Sequence, residues 1–234
     1  MTKRILLLSL FLFIFNQLTK AQDKAFQFGF KAAPNLGWVK PNAETYVGDG
    51  VKMGFSWGFV GDIHLMENYW FNTGFNVQFI RGAYHYPHQI PGTGGSSSYI
   101  TGTLNRTLSA KYIQLPLVFR MKTEETNSIS FYGEIGFGLG FLFDAKASDS
   151  FYEDSLLIYE TTKEDVHNQY RFLRESLILG AGLEYSLGTS NKITTGLRFD
   201  NNFFDILKDQ NTVDSSIEQK AISNFIELQL CFLF

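Results

Sequence analysis

Cysteine is nearly missing from this chain. Cys231 is the only one in 234 residues, so no disulfide can form within it. Proline is scarce, with 5 residues, and no region reads as a proline-rich linker or a collagen-like repeat. Charge is thin: 18% of residues are Asp, Glu, Lys or Arg, and the formal net charge is -3. A nucleic-acid binder needs a strongly basic face, so that class is excluded and no nucleic-acid partner is expected. Beyond residue 22 no hydrophobic run reaches the roughly 20 apolar residues that a membrane helix requires. What the chain has instead is 44% hydrophobic residues, 16% aromatics, 24 Phe and 21 Gly. That much apolar material excludes a disordered chain.

Residues 1–21 read as a cleaved signal peptide. Lys3 and Arg4 supply the positive start, residues 5–15 form an apolar run broken only by Ser9, and Ala21 closes a short stretch with small residues. The run is too short to cross about 30 Å of hydrocarbon. Residues 22–234 then form one domain outside the cytoplasm.

The repeating signal in that domain is alternation with period 2, the mark of strands with two unlike faces. Met53, Phe55, Trp57, Phe59, Ile63 and Leu65 share one face, with Ser56, Asp62 and His64 on the other. Tyr69, Phe71, Phe75 and Phe79 oppose Asn72, Asn76 and Gln78. Phe131, Ile135, Phe137, Leu139 and Phe141 oppose Glu134, Gly136, Gly138 and Gly140. Eight strands are expected, over 25–38, 52–65, 69–82, 107–120, 128–143, 174–187, 192–204 and 221–234. Connections at 66–68, 121–127 and 188–191 are short; those at 39–51, 83–106, 144–173 and 205–220 are long. Even parity with alternating short and long connections is the plan of an outer-membrane barrel. The fold class expected is therefore all-β: an eight-stranded antiparallel up-and-down transmembrane β-barrel following a signal peptide.

Solvation energy sets the face choice. Hydrocarbon cannot satisfy backbone groups, so the sheet must close, and side chains that meet lipid must be apolar. In the last strand, Glu227 and Gln229 must then point inward and Ile226, Leu228, Leu230, Phe232 and Phe234 outward. The same parity places Lys31, Asp62, Glu134, Glu184, Arg198, Asp200 and Glu227 in the lumen, with Arg120 and His64 near its periplasmic end. An eight-stranded barrel has room for side chains or one small ligand, so a packed polar interior without an open channel follows. Lys31, Glu227 and Arg198 should share one ion-pair network across the seam between first and last strands. Tyr69, Phe71 and Tyr185 suit one interfacial aromatic girdle, and Phe143, Phe199 and Trp38 the other. Pro116, inside a strand without a ladder donor, predicts a local bulge. A soluble lipocalin-like carrier is the same alternation turned inside out. It is disfavoured because so many large side chains overfill a narrow interior.

Some stretches carry a family resemblance. Residues 225–234, with alternating apolar positions ending on Phe232 and Phe234, resemble the assembly signal of bacterial outer-membrane proteins. That resemblance implies recognition by the barrel-assembly machinery. The run Lys111-Tyr112-Ile113-Gln114-Leu115-Pro116-Leu117-Val118-Phe119-Arg120 resembles the central strand of the PorT-like outer-membrane β-barrel family of Bacteroidetes. So does Tyr132-Gly133-Glu134-Ile135-Gly136-Phe137-Gly138-Leu139-Gly140. Lys20-Ala21-Gln22 and Phe28-Gly29-Phe30-Lys31-Ala32-Ala33-Pro34-Asn35 fit the same family. The resemblance implies location in the bacterial outer membrane and a part in protein secretion, with outer-membrane lipid and secretion-system or envelope proteins as partners.

Catalytic chemistry is weakly signalled. His85 and His88, three apart in Tyr84-His85-Tyr86-Pro87-His88, lack a third metal ligand, and a hydrolase pairing with Ser96, Ser97 or Ser98 has no spacing to support it. Gly136, Gly138 and Gly140 recur every second residue along a strand face, and no Lys-Ser/Thr follows as in a phosphate loop. The acids of residues 144–165 read as a solvated external surface, with cation binding there the sharper alternative, and Phe151-Tyr152 with Leu156-Leu157-Ile158-Tyr159 is expected to extend strands above the membrane as a hairpin. The expectation is a protein without catalytic residues, metal or cofactor, structural or secretion-accessory, acting through its loops. The alternatives are an outer-membrane enzyme acting on lipid and the inverted soluble carrier.

Overall fold

A computed structural model describes residues 25–92, 98–188, 190–208 and 210–234. The expected signal peptide lies outside the described residues. Among the described residues nine strands form in chain order: β1 (Phe26–Pro41), β2 (Val47–Met66), β3 (Tyr69–Pro91), β4 (Tyr99–Lys122), β5 (Ile129–Glu153), β6 (Leu156–Asp165), β7 (Leu173–Leu187), β8 (Asn191–Asn202) and β9 (Ala221–Leu233). All pairings are antiparallel. The order β4-β3-β2-β1-β9-β8-β7-β5, with β4 also pairing β5, returns on itself as a ring of eight. The expected eight strands are this ring. The ninth, β6, pairs only with the outer part of β5 as a hairpin turning at Asp154 and Ser155.

The faces fall as solvation demands. Phe137 is 57% exposed and Leu228 52%, whereas Glu134 is 5% and Glu227 0% exposed. Phe28, Phe30, Phe59, Phe119, Phe131 and Ile135 all stand on the outer surface. A soluble carrier would bury these side chains and expose the carboxylates, so the inverted reading is excluded. No helix among the described residues is long and apolar enough to cross a membrane; this chain would cross with strands. The girdle residues also face outward. Tyr69 stacks on Phe119 at 5.3 Å, Trp38 stacks on Phe199 at 6.1 Å, and Phe234 packs against Phe28 and Phe232 at 5.2 and 5.0 Å.

Strand lengths differ around the ring. A barrel strand needs roughly 9–11 residues to cross a bilayer. β8 and β9, with 12 and 13 residues, come close to that; β3, β4 and β5, with 23, 24 and 25, far exceed it. The expected long loops 83–106 and 144–173 are therefore mostly strand. With β6 they form a wall rising beyond the apolar band at the end opposite the short turns.

The bulge expected at Pro116 does not occur. The β3–β4 pairing lapses between Asn72↔Val118 and Asn76↔Gln114 but resumes in the same register with no residue added, and Pro116 pairs with Gly138 on its other side. The position facing Pro116 across β3 is Gly74, whose φ of +147° is closed to most side chains. The bulge lies instead between Lys111 and Tyr112 of β4, where β5 advances from Leu142 to Asp144.

Candidate functional site: a charged lumen under an external cap

The lumen follows from strand parity, because every second residue of eight strands converges on the axis. Lys31 on β1 donates to Glu227 on β9 at 2.6 Å. Arg198 on β8 reaches Glu227 at 4.0 Å and donates to Glu134 on β5 at 2.7 Å. Arg120 on β4 donates to the other oxygen of Glu134 at 2.9 Å and to Asp62 on β2 at 3.0 Å. Lys122 bridges Asp62 at 3.3 Å and Glu184 at 2.7 Å, and Lys192 closes on Glu184 at 2.6 Å. Arg174 pairs with Asp200 at 2.7 Å, and Gln114 donates to the second Asp200 oxygen at 2.8 Å.

All seven sequence-expected lumen residues are thus inside, and the expected grouping of Lys31, Glu227 and Arg198 is present. Arg120 is a hub between two carboxylates, with its guanidinium 4.4 Å above the Tyr132 ring. His64 sits near the short-turn end, hydrogen-bonded to the Glu67 carbonyl at 3.0 Å. Lys122, Arg174 and Lys192 were missed, because each lies at a strand end that the sequence pattern assigns to a turn or its edge. Parity carried two residues past Arg120, and applied to the first residues of the strands beginning at 174 and 192, finds them. Charged side chains of both signs are nearly equal in number here, so each buried ion has a partner, the condition for tolerating charge away from water. Glycine makes the room: a methyl on Gly180 would sit 2.5 Å from Glu134 Oε1.

Above the apolar band the interior changes character. Tyr84, Tyr86, Leu104, Leu108, Tyr112 and Phe151 form a buried apolar core with Tyr46, Tyr170, Ile206 and Leu207. The segment after β8 crosses the mouth and inserts Ile206 and Leu207, each 1% exposed. It is tied down by the Lys208 N–H donating to the Gln169 carbonyl at 3.0 Å and by Asn211 donating to the Tyr46 hydroxyl and the Pro87 carbonyl, both at 3.0 Å. At the centre, Arg106 holds Asp149 through two bonds of 2.8 and 2.6 Å and also donates to Gln169. Burial would lower the Arg106 pKa, but the Asp149 carboxylate outweighs it and the net shift is upward. Burial pushes the Tyr170 phenol up to about 12 and Tyr84 well above its ordinary value, so the pair bonded at 2.8 Å stays neutral.

The two candidate histidines lie on β3, where residues three apart face opposite sides. His85 pairs with Asp49 at 2.7 Å on the surface; His88 faces the cap and shares a hydrogen bond with the Thr212 hydroxyl at 2.8 Å. They do not converge. Burial, then the Arg106 charge, holds the His88 pKa below its ordinary value. Ser96 and Ser97 lie outside the described residues. Among the described residues no cluster of three or more His, Cys, Asp or Glu is placed to hold a metal.

A family model described as "Outer membrane protein beta-barrel domain" matches residues 15–208 of the chain. No curated protein matches. Among solved structures the chain is similar to Neisserial surface protein A, with 10% identity over 89% of this chain and 96% of that one and a TM-score of 0.45. It is similar to the attachment invasion locus protein Ail of Yersinia pestis, with 15% identity over 89% and 98% and a TM-score of 0.35. It is also similar to the outer membrane protease OmpT from Escherichia coli, with 9% identity over 92% and 98% and a TM-score of 0.37.

Proposed function

The chain belongs to the outer membrane protein beta-barrel domain family and lies in the outer membrane as a multi-pass β-barrel; from that premise we propose that it works without catalysis, as a structural or secretion-accessory protein of the PorT-like kind. The observation that carries the reading is the filled interior. Ion pairs occupy the lumen from Lys192 to Arg174, and an apolar cap closes the outer mouth above them. A barrel filled in this way offers partners its two ends and not a path through its centre. The external end suits contact: the β5–β6 hairpin ends in Leu156, Leu157 and Ile158, all exposed beyond the membrane band. Envelope or secretion-system proteins are the partners this reading requires, and the barrel-assembly machinery is the partner during biogenesis, reading Phe232 and Phe234.

Chromosomal deletion tests the proposal. Loss of export of secreted proteins, restored by the wild-type gene and not by a variant with Leu156, Leu157 and Ile158 changed to Ser, is the expected result. Normal export in the deletion strain would remove the secretion role. An altered outer-membrane lipid spectrum in that strain, restored by the wild-type gene, would replace the non-catalytic reading with a lipid-modifying one.

A further inference from the structure

On the outward face of β3, β4 and β5 the cross-strand register sorts residues into rows. Val77, Ile113 and Phe141 form an apolar row. The next row toward the outside is Phe79, Lys111 and Asp144, and the row beyond it is Arg81, Ser109 and Lys146. Thr107 and Ser148 pair above these. A break in register between β5 and β6 sets Lys163 in the left-handed region at φ +55°, with its N–H donating to the Ser148 hydroxyl at 3.1 Å. That bulge brings a fourth cation to the row. Together Arg81, Lys111, Lys146 and Lys163, with Thr107, Ser109 and Ser148, line one recess of about 310 Å³.

The charges in this recess are not spent on one another. Lys111 pairs with Asp144 at 2.7 Å; Arg81, Lys146 and Lys163 have no carboxylate within 4.0 Å among the described residues. The nearest acid in register, Asp165 opposite Lys146, accepts the His167 N–H at 2.9 Å. Elsewhere the outer edge of the apolar band carries the uncharged Trp38, Phe199 and Asn201 together with single charges such as Lys40 on β1 and Glu175 on β7. Three unpaired cations beside three hydroxyls, separated from the apolar row by one row that holds Phe79 and the Lys111–Asp144 pair, match a ligand with an anionic head and an acyl body. Phosphate fits the head, since Arg and Lys bind its oxygens through charge-assisted hydrogen bonds and hydroxyls fill the remaining sites.

We propose that this recess binds a phosphate group carried by a lipid of the outer leaflet, whose acyl chains lie along Ile113 and Phe141. The lipid is the occupant because the recess faces sideways into the headgroup layer, where a phosphate on an acyl anchor is presented at high local concentration. Free phosphate has the same head chemistry without the anchor. The proposal stands whether or not the secretion role does.

The purified protein in detergent micelles, titrated with a diphosphorylated glycolipid, with the same lipid after dephosphorylation, and with inorganic phosphate, tests it. The phosphorylated lipid should bind at least tenfold more tightly than either of the others. Arg81→Gln, Lys146→Gln and Lys163→Gln combined should lower that affinity at least tenfold, while Lys146→Arg with Lys163→Arg retains it. The side chains are external, so heat-modifiable electrophoretic mobility should be unchanged. Independently of any variant, raising salt from about 0.05 to 0.5 M should weaken binding of the phosphorylated lipid and leave the dephosphorylated one unaffected. Equal binding of the two lipids, inorganic phosphate binding as tightly as the lipid, or a triple Gln variant with wild-type affinity would each overturn the proposal.

Discussion

Glu227→Leu should damage this protein far more than its size change implies, and Lys31 is the reason. The Lys31 ammonium and the Glu227 carboxylate are 2.6 Å apart with side chains 1% and 0% exposed. Removing the carboxylate leaves a buried ammonium whose only ion pair among the described residues is gone, and also strands the Gln229 amide, which donates to Glu227 at 2.7 Å. An uncompensated buried charge costs about 3–5 kcal/mol. Lys31→Met is the milder change. Glu227 then still has Gln229, and Arg198 at 4.0 Å, an attraction of about 4 kcal/mol at an effective dielectric near 20. Its cost should be roughly 1.5–3 kcal/mol, one lost hydrogen bond to a charged group. The double variant should be more stable than the sum of the singles predicts, because each substitution removes the charge the other would strand. Reversible urea unfolding in lipid vesicles, followed by fluorescence of Trp38, Trp57 and Trp70, measures all four members of the cycle. Glu227→Leu within about 0.5 kcal/mol of wild type, or strictly additive singles, would refute the reasoning, since both require the pair to be energetically idle.

Gly180→Leu should lower stability by about 1–3 kcal/mol or more, since its Cβ meets Glu134 Oε1 at 2.5 Å, whereas Gly133→Ala, with nothing within 4 Å, should be neutral; the same urea assay compares them. Arg106→Met strands the Asp149 carboxylate inside the cap, and limited proteolysis should then cut within residues 203–220 while heat-modifiable mobility of the membrane ring survives. His88 has a folded-state pKa below its ordinary 6.5, so it contributes no pH-dependent loss above that value. As pH falls below about 6.5 the unfolded chain takes up a proton that the cap resists, and stability drops until the folded-state pKa is passed. Proteolysis of the cap should therefore accelerate between pH 7 and 5 (roughly the His range), and His88→Gln should flatten that slope. In planar bilayers the wild-type protein should show no steady conductance, and neither should Ile206→Asp with Leu207→Asp, because the ion pairs beneath the cap remain; a stable pore in either would mean the lumen is not held shut by its charges.

The membrane part of this fold was legible because hydrocarbon enforces a strict rule. Each strand there alternates Phe, Leu or Ile with Gly or a polar residue, so parity alone placed Lys31, Asp62, Glu134, Glu184, Arg198, Asp200 and Glu227 inside. Apart from the hairpin expected at 151–159, the external storey reads as loops in the sequence for two physical reasons. Beyond the band the outer face meets water, so the apolar residues change sides: Leu104 and Leu108 point in, Asn105 and Thr107 out. A single bulge also shifts the phase of β5, whose buried positions run Glu134, Gly136, Gly138, Gly140, Leu142 and then Ala145, Ala147, Asp149, Phe151. A pattern search tuned to one parity ends where the parity flips. The Pro116 expectation fails differently: the missing donor is real, but the β3–β4 pairing lapses opposite it without an added residue, and cross-strand partners cannot be read before the register is known.

That phase shift lies where the solvent changes. Along β4 the inward residues run Arg120, Val118, Pro116, Gln114, Tyr112, Ala110, Leu108, Arg106 and Leu104, mostly apolar beyond Gln114 apart from Arg106 on its Asp149 partner, while the outward ones run Phe119, Leu117, Leu115, Ile113, Lys111, Ser109 and Thr107, from apolar to polar. Both gradients cross near Lys111 and Tyr112, and the β4–β5 bulge is at that step. β4 changes its residue types there and keeps its parity; β5 changes parity. Without the additional residue, Lys146 and Ser148 would point into the cap and Ala147 and Phe151 into water, because a one-residue slip exchanges the faces of a strand. The bulge thus lets one continuous sheet be inside-out in lipid and conventional above it. The same slip turns Lys146 outward beside Arg81 and Ser109, so the closed cap and the cationic recess are two consequences of one added residue.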